Sequence, residues 1–188
     1  MKKKEKFHLF HSVKREIYYS YIRIIRLISN LFSKNIEHQF LFILSPPYAG
    51  STMLNQLISF SENVSCNNNL GTREGQLLPG VKHFMFQKDR WNENVKYPWG
   101  KVRKIWLKYW DYSKPIFLDK SIPNIMRVDE IEKVFSPIKY MCMVRNPYAQ
   151  VEGLMRRNKQ DAKSAAEFAI KCLYYQSKNR KRANILFF

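Results

Sequence analysis

Phe40–Leu57, FLFILSPPYAGSTMLNQL, decides how the chain is read. Its apolar run, Phe40 to Leu44, has the length of a buried strand in a parallel sheet. The run breaks at Ser45-Pro46-Pro47, turns through Tyr48-Ala49-Gly50, and resumes with Ser51-Thr52 and helix-spaced Met53, Leu54, Leu57 and Ile58. Strand, tight loop and helix follow in that order. Such a turn leaves backbone N–H groups unpaired at a helix start beside two hydroxyls, and both the amides and the helix dipole favour a phosphate there. A Walker A loop is excluded. That pattern needs GxxxxGK[ST] with a Lys reaching the terminal phosphates, and no Lys stands in this loop.

The surroundings of this unit narrow the class further. The 188 residues suffice for one full core, and 45% hydrophobic with 15% aromatic residues describes a folded globule, not a disordered tail. The formal net charge of +18 calls for anionic partners, without choosing among nucleotides, sulfated or phosphorylated substrates, nucleic acid and an acidic membrane face. Cys66, Cys142 and Cys172 have no CxxC spacing, so neither a zinc site nor a disulfide framework is expected, and reduced thiols in a cytoplasmic setting follow.

Upstream, Met1–Lys6 reads as a basic tail. The segment from about Ser12 to Ser33 is helical by period, with Ile17, Tyr21, Ile24, Ile25, Ile28, Leu31 and Phe32 recurring at three- and four-residue steps. Its arginines argue against a transmembrane span, and no small-residue cleavage site marks a signal peptide. We expect this basic amphipathic helix to pack its apolar stripe onto the domain; a peripheral membrane contact is the alternative. Residues 1–38 are thus taken as tail and helix, and 39–188 as the α/β domain.

Downstream, residues 61–80 read as an Asn- and Gly-rich loop carrying Arg73 and Glu74 between Gly71 and Gly75, where sharp turns can aim a side chain. Val81–Trp110 is basic and aromatic, suited to a cleft wall or to packing; base stacking on nucleic acid ranks last. Further strands are expected at Lys114–Lys120, Lys139–Val144 and Asn184–Phe188. Helices are expected at about Lys101–Trp110, Met126–Phe135, Ala149–Arg157 and Asp161–Ser177. Alternating strands and helices imply a parallel sheet covered on both faces, with ligands gathered beyond the strand C-termini. That rule brings the 45–52 loop, Lys120-Ser121 and Arg145 together.

With these segments placed, the chain resembles the sulfotransferases that use 3′-phosphoadenosine 5′-phosphosulfate (PAPS), in their bacterial and tyrosylprotein-sulfotransferase-like branch. Ser45–Leu54 looks like that family's 5′-phosphosulfate loop, and Val144-Arg145-Asn146-Pro147-Tyr148 with the following helix looks like its 3′-phosphate motif. Leu118–Asn124 resembles the intervening strand end with its Lys, and Gly71–Gln76 falls where the branch keeps a catalytic Glu. The resemblance implies a three-layer, P-loop-like α/β fold, with PAPS as sulfate donor and no metal. The acceptor, a carbohydrate, peptide or small molecule, is left open. It implies that Tyr48, Ala49, Gly50, Ser51, Thr52, Met53, Arg145 and Gly153 contact the cofactor, with Lys120 beside the transferred group and Glu74 as base.

Three departures stand out. The family usually carries Arg or Lys where this chain has Tyr48, which leaves the leaving-group charge to Lys120. It usually has Ser where this chain has Gly153, so a hydroxyl contact is lost. The pattern also stops mid-strand at Ile185–Phe188, as expected of a gene fragment or a shortened paralogue. Together these departures motivate the alternative of a catalytically impaired anion-binding or membrane-surface module.

Overall fold

The structure is a computed structural model, and it describes residues 3–34 and 36–187. Its elements in chain order are α1 (Lys3–Leu31), β1 (Gln39–Leu44), α2 (Ser51–Ser59), β2 (Val64–Cys66), α3 (Lys82–Met85), α4 (Trp99–Trp106), β3 (Ile116–Asp119), α5 (Val128–Ile131), β4 (Ile138–Cys142), α6 (Pro147–Asn158), α7 (Ala162–Asn179) and β5 (Ile185–Phe187). Short 3₁₀ turns stand at Gly75–Leu77 and Ile122–Met126.

The five strands form one sheet in the order β2-β3-β1-β4-β5, all parallel. The chain leaves β1 toward one side to lay down β2 and β3, then crosses to the other for β4 and β5. β1 therefore sits at the reversal of strand order, where a crevice opens beyond the carboxyl ends. In-and-out alternation along β1 divides the core. Phe40, Phe42 and Leu44 enter a large aromatic cluster on one face, while Ile43 joins Val64, Cys66 and Leu118 on the other, covered by Leu54 and Ile58 of α2.

The basic aromatic stretch turns mostly inward. Trp106 and Trp110 are fully buried. Trp110 stacks on Phe117 at 5.0 Å and 4°, and Trp106 meets Phe42 edge-on at 5.8 Å. Rings packed this way are committed to the core and are not free to stack on bases.

Four expectations need correction. The 61–80 segment is not all loop: β2 lies in it as an edge strand, overlooked because Val64-Ser65-Cys66 is too short to show a period. The helix expected over 126–135 is instead a 3₁₀ turn and the one-turn α5. Residues Lys3–Lys6 belong to α1 and are not a free tail, while Met1, Lys2 and the expected strand residue Phe188 lie outside the described residues. Finally, α1 does not pack its apolar stripe onto the domain. It docks through Tyr19, which donates to Asn68 Oδ1 at 3.2 Å, through an Arg26–Asp111 ion pair, and through Asn30, which donates to the Trp110 carbonyl at 3.1 Å. Ile17, Tyr21, Ile24, Leu27, Ile28 and Leu31 are left exposed.

Candidate functional site

A cleft of about 740 Å³ lies beyond the carboxyl ends of β1, β3 and β4. The loop between β1 and α2 enters it with two residues in the left-handed region, Tyr48 at φ 62° and Gly50 at φ 93°. Gly50 stands at the N-cap of α2 and no side chain caps the helix. The first-turn amides of Ser51 and Thr52 have no intrahelical acceptor, which leaves them to an anion.

Tyr48, Gly50, Ser51, Thr52, Glu74, Lys120, Arg145 and Gly153 all line this one cleft. Of the residues expected at the site, Ala49 and Met53 do not line it. Met53 is 66% exposed on the outer side of α2.

At the floor, Lys120 Nζ lies 3.4 Å from Glu74 Oε1 and donates to Thr52 Oγ1 at 3.0 Å; the two charged side chains are 2% and 7% exposed. Gln76 Nε2 donates to the other Glu74 oxygen. Burial pulls the Lys120 ammonium below the ordinary lysine range, against the opposing pull of Glu74. An ammonium has three donors, and two are engaged here, so one N–H remains for an oxygen in the cleft.

Asp119 holds this floor together. It is fully buried beside Lys120 and accepts from Asn67 Nδ2 (2.9 Å), the Gly75 amide (3.1 Å), the Ser121 hydroxyl (3.1 Å), the Ser121 amide (2.9 Å) and Asn124 Nδ2 (2.8 Å). One carboxylate thus ties the end of β3 to the segment carrying Glu74. Burial nonetheless pushes its carboxyl up from the usual range, with the Asn67, Ser121 and Asn124 donors pulling the other way. The approach is close enough that a Cβ on Gly75 would fall 2.2 Å from Asp119 Oδ1, so a side chain there is excluded.

At the rim, Arg145 is exposed and donates to the Tyr48 carbonyl. The Tyr48 hydroxyl donates to Asn158 Oδ1, and the Arg157 guanidinium stands 5.7 Å from its ring centre. Gly153 is buried directly beneath: a Cβ there would lie 3.2 Å from Tyr48 Cβ. Gly153 therefore makes room for the Cβ and ring of Tyr48. Gly153→Ser is expected to cost about 1–2 kcal/mol by overpacking, and to cost less in a Tyr48→Gly background, which removes the Cβ that the new side chain would meet. Urea unfolding of the double-mutant cycle checks this, and strict additivity would refute the coupling.

Several lining residues escaped the sequence reading. Lys88, Arg90, Arg156 and Arg157 add positive charge around the cleft, against Glu74 and Glu152. In sequence Arg156 and Arg157 stand only at the end of the helix expected over Ala149–Arg157. Trp91 and Phe168 form an edge-to-face wall at 4.8 Å, so the cleft-wall expectation for the aromatic stretch applies to Trp91 while most of its neighbours pack inside.

No family model and no curated protein matches this chain. Among solved structures, the sulfotransferase domain from the curacin biosynthetic pathway superposes with a TM-score of 0.53 at 17% identity, over 82% of this chain and 68% of that one. The sulfotransferase domain of the Synechococcus PCC 7002 olefin synthase gives 0.49 at 18% identity, over 82% and 68%. At 17% identity the likeness is one of architecture: this chain is similar in fold to a sulfotransferase domain.

Proposed function

We propose that the protein transfers a sulfuryl group from PAPS to a hydroxyl or amine acceptor. The observation that carries this reading is the Thr52–Lys120–Glu74 chain at the floor of a basic cleft, beneath an uncapped helix start. The cleft volume falls within the range of nucleotide-sized ligand sites. The lining fits the donor's charges: amides and hydroxyls of Ser51 and Thr52 for the 5′-phosphate, and the Arg145 guanidinium for the 3′-phosphate.

PAPS, when bound, supplies the sulfuryl group and a phosphate leaving group. The chain's own residues do the rest. Glu74 accepts the proton of the attacking hydroxyl or amine, using lone pairs that Lys120 and Gln76 leave available. A bond forms from the acceptor to sulfur, and the bond from sulfur to the bridging oxygen breaks. That oxygen keeps the electron pair, and the Lys120 ammonium offsets the charge that grows there. Tyr48 brings no cation to the loop, but Arg157, over the Tyr48 ring, lines the same cleft and adds positive charge to it.

Isothermal titration with the product 3′-phosphoadenosine 5′-phosphate (PAP) tests the reading. The folded protein should bind it, and Arg145→Ala should weaken binding by about 1.5–3 kcal/mol, the scale of hydrogen bonds to a charged group. No heat of binding by folded protein would remove the proposal. Binding without transfer to any acceptor would favour the impaired module.

A further inference from the structure

Among the described residues, α1 is a long helix whose apolar side faces away from the protein. With 3.6 residues per turn, Val13, Ile17, Ile24, Ile28 and Leu31 fall on a single stripe, flanked by Tyr21 and Leu27. The docking residues Tyr19, Arg26 and Asn30 occupy the opposite side. Ile17, Ile24, Leu27 and Leu31 are 63%, 58%, 66% and 75% exposed, far from what a helix buried by its apolar side would show.

The stripe also has a neighbour. Ile24, Leu27 and Leu31 line a groove of about 910 Å³ with Leu107, bordered by Arg23, Lys104 and Lys108 and by no carboxylate among its lining residues. Lys104 and Lys108 are exposed on and just beyond α4.

From this arrangement we propose that the outward stripe of α1 and the adjoining groove form a docking face for an anionic phospholipid bilayer, with α1 lying in the plane of the interface. Apolar side chains would enter the acyl boundary while the bordering cations meet phosphate-bearing headgroups, as expected of a basic amphipathic helix. Charge decides the occupant. A second copy would bring the same cations, on a protein of net charge +18, against one another, whereas an acidic bilayer neutralises them. Among the described residues no helix is long and apolar enough to cross a membrane, which fits a helix lying on the surface. The inference stands on α1 and α4 and does not require the cleft to be catalytic.

The full chain should co-sediment with vesicles of phosphatidylcholine and phosphatidylserine, and bind phosphatidylcholine vesicles at least about tenfold more weakly. Lys104→Ala/Lys108→Ala should lower affinity for the acidic vesicles by about tenfold or more, since each cation near an acidic surface contributes. Ile24→Glu/Ile28→Glu should abolish binding while leaving the melting temperature and PAP titration unchanged, because both side chains point away from the core. Equal binding to the two vesicle types, or no binding by folded wild-type protein, would overturn the proposal. So would a stable dimer that Ile24→Glu/Ile28→Glu converts to monomer, because the occupant would then be a second copy.

Discussion

Lys120→Ala is expected to lower sulfuryl-transfer turnover by about 10²–10³-fold, the loss typical of removing one preorganised donor at a developing negative charge. The size follows from burial. An ammonium exchanged for water at the surface stabilises little, but Lys120 is 2% exposed and is held by Thr52 and Glu74 before any substrate arrives. The substitution also orphans Glu74, and a buried carboxylate without its cation destabilises a fold. Glu74→Gln combined with Lys120→Met removes both charges; that variant should fold, bind PAP and transfer nothing. A turnover within tenfold of wild type for folded Lys120→Ala would displace Lys120 from its role. The pH profile adds a second reading. Burial holds the Lys120 ammonium below the ordinary lysine range, so its cation is lost, and the rate falls, at a lower pH than an unperturbed lysine would set. Lys120→Arg should move that alkaline limb upward, because a guanidinium does not titrate there.

Asp119→Ala is the substitution expected to damage the fold most. It deletes the acceptor of five hydrogen bonds from Asn67, Gly75, Ser121 and Asn124, all buried. Each buried donor left unpaired costs about 1–3 kcal/mol, and some of these will find water or another acceptor. A net loss of about 4 kcal/mol or more is expected, a large share of the ~5–15 kcal/mol that holds a domain folded. Urea unfolding measures it, and a loss below about 1 kcal/mol would show that the network is replaceable. Asp119→Asn keeps the shape but turns an amide donor toward donors, so it should also destabilise. Any folded fraction of either variant should have weakened activity, because Asp119 sets where Glu74 and Lys120 stand.

Much of this was legible from the chain. Phe40–Leu44 announced β1 because a buried parallel strand needs an unbroken apolar run, and Ser45–Thr52 announced the turn because its residue types leave a helix uncapped. The convergence of Gly50, Lys120 and Arg145 followed from parallel topology alone, and the cleft contains all three. What stayed hidden depended on partners distant in sequence. Asp119 looks like any strand-end carboxylate until its donors arrive from positions 67, 75 and 124. Gly153 read as a missing hydroxyl because nothing local reveals that Tyr48 lies over it. The outward turn of α1 was misjudged for a related reason: period shows that a helix has an apolar side, but not which side docks. Here Tyr19, Arg26 and Asn30 found partners on the domain, with Ile22 beside them, while Ile17, Ile24 and Ile28 did not.

The fit of Tyr48 over Gly153 also constrains history. If an earlier form of the chain had serine at 153, the order in which the glycine and the tyrosine appeared would matter. Serine-to-glycine first opens a void that costs little, and tyrosine can then settle into it. Tyrosine first would stand with its Cβ 3.2 Å from the serine Cβ, so one of the two side chains must shift. The path through glycine avoids that shift, and a variant with Tyr48 over serine should be less well folded than one with Tyr48 over Gly153.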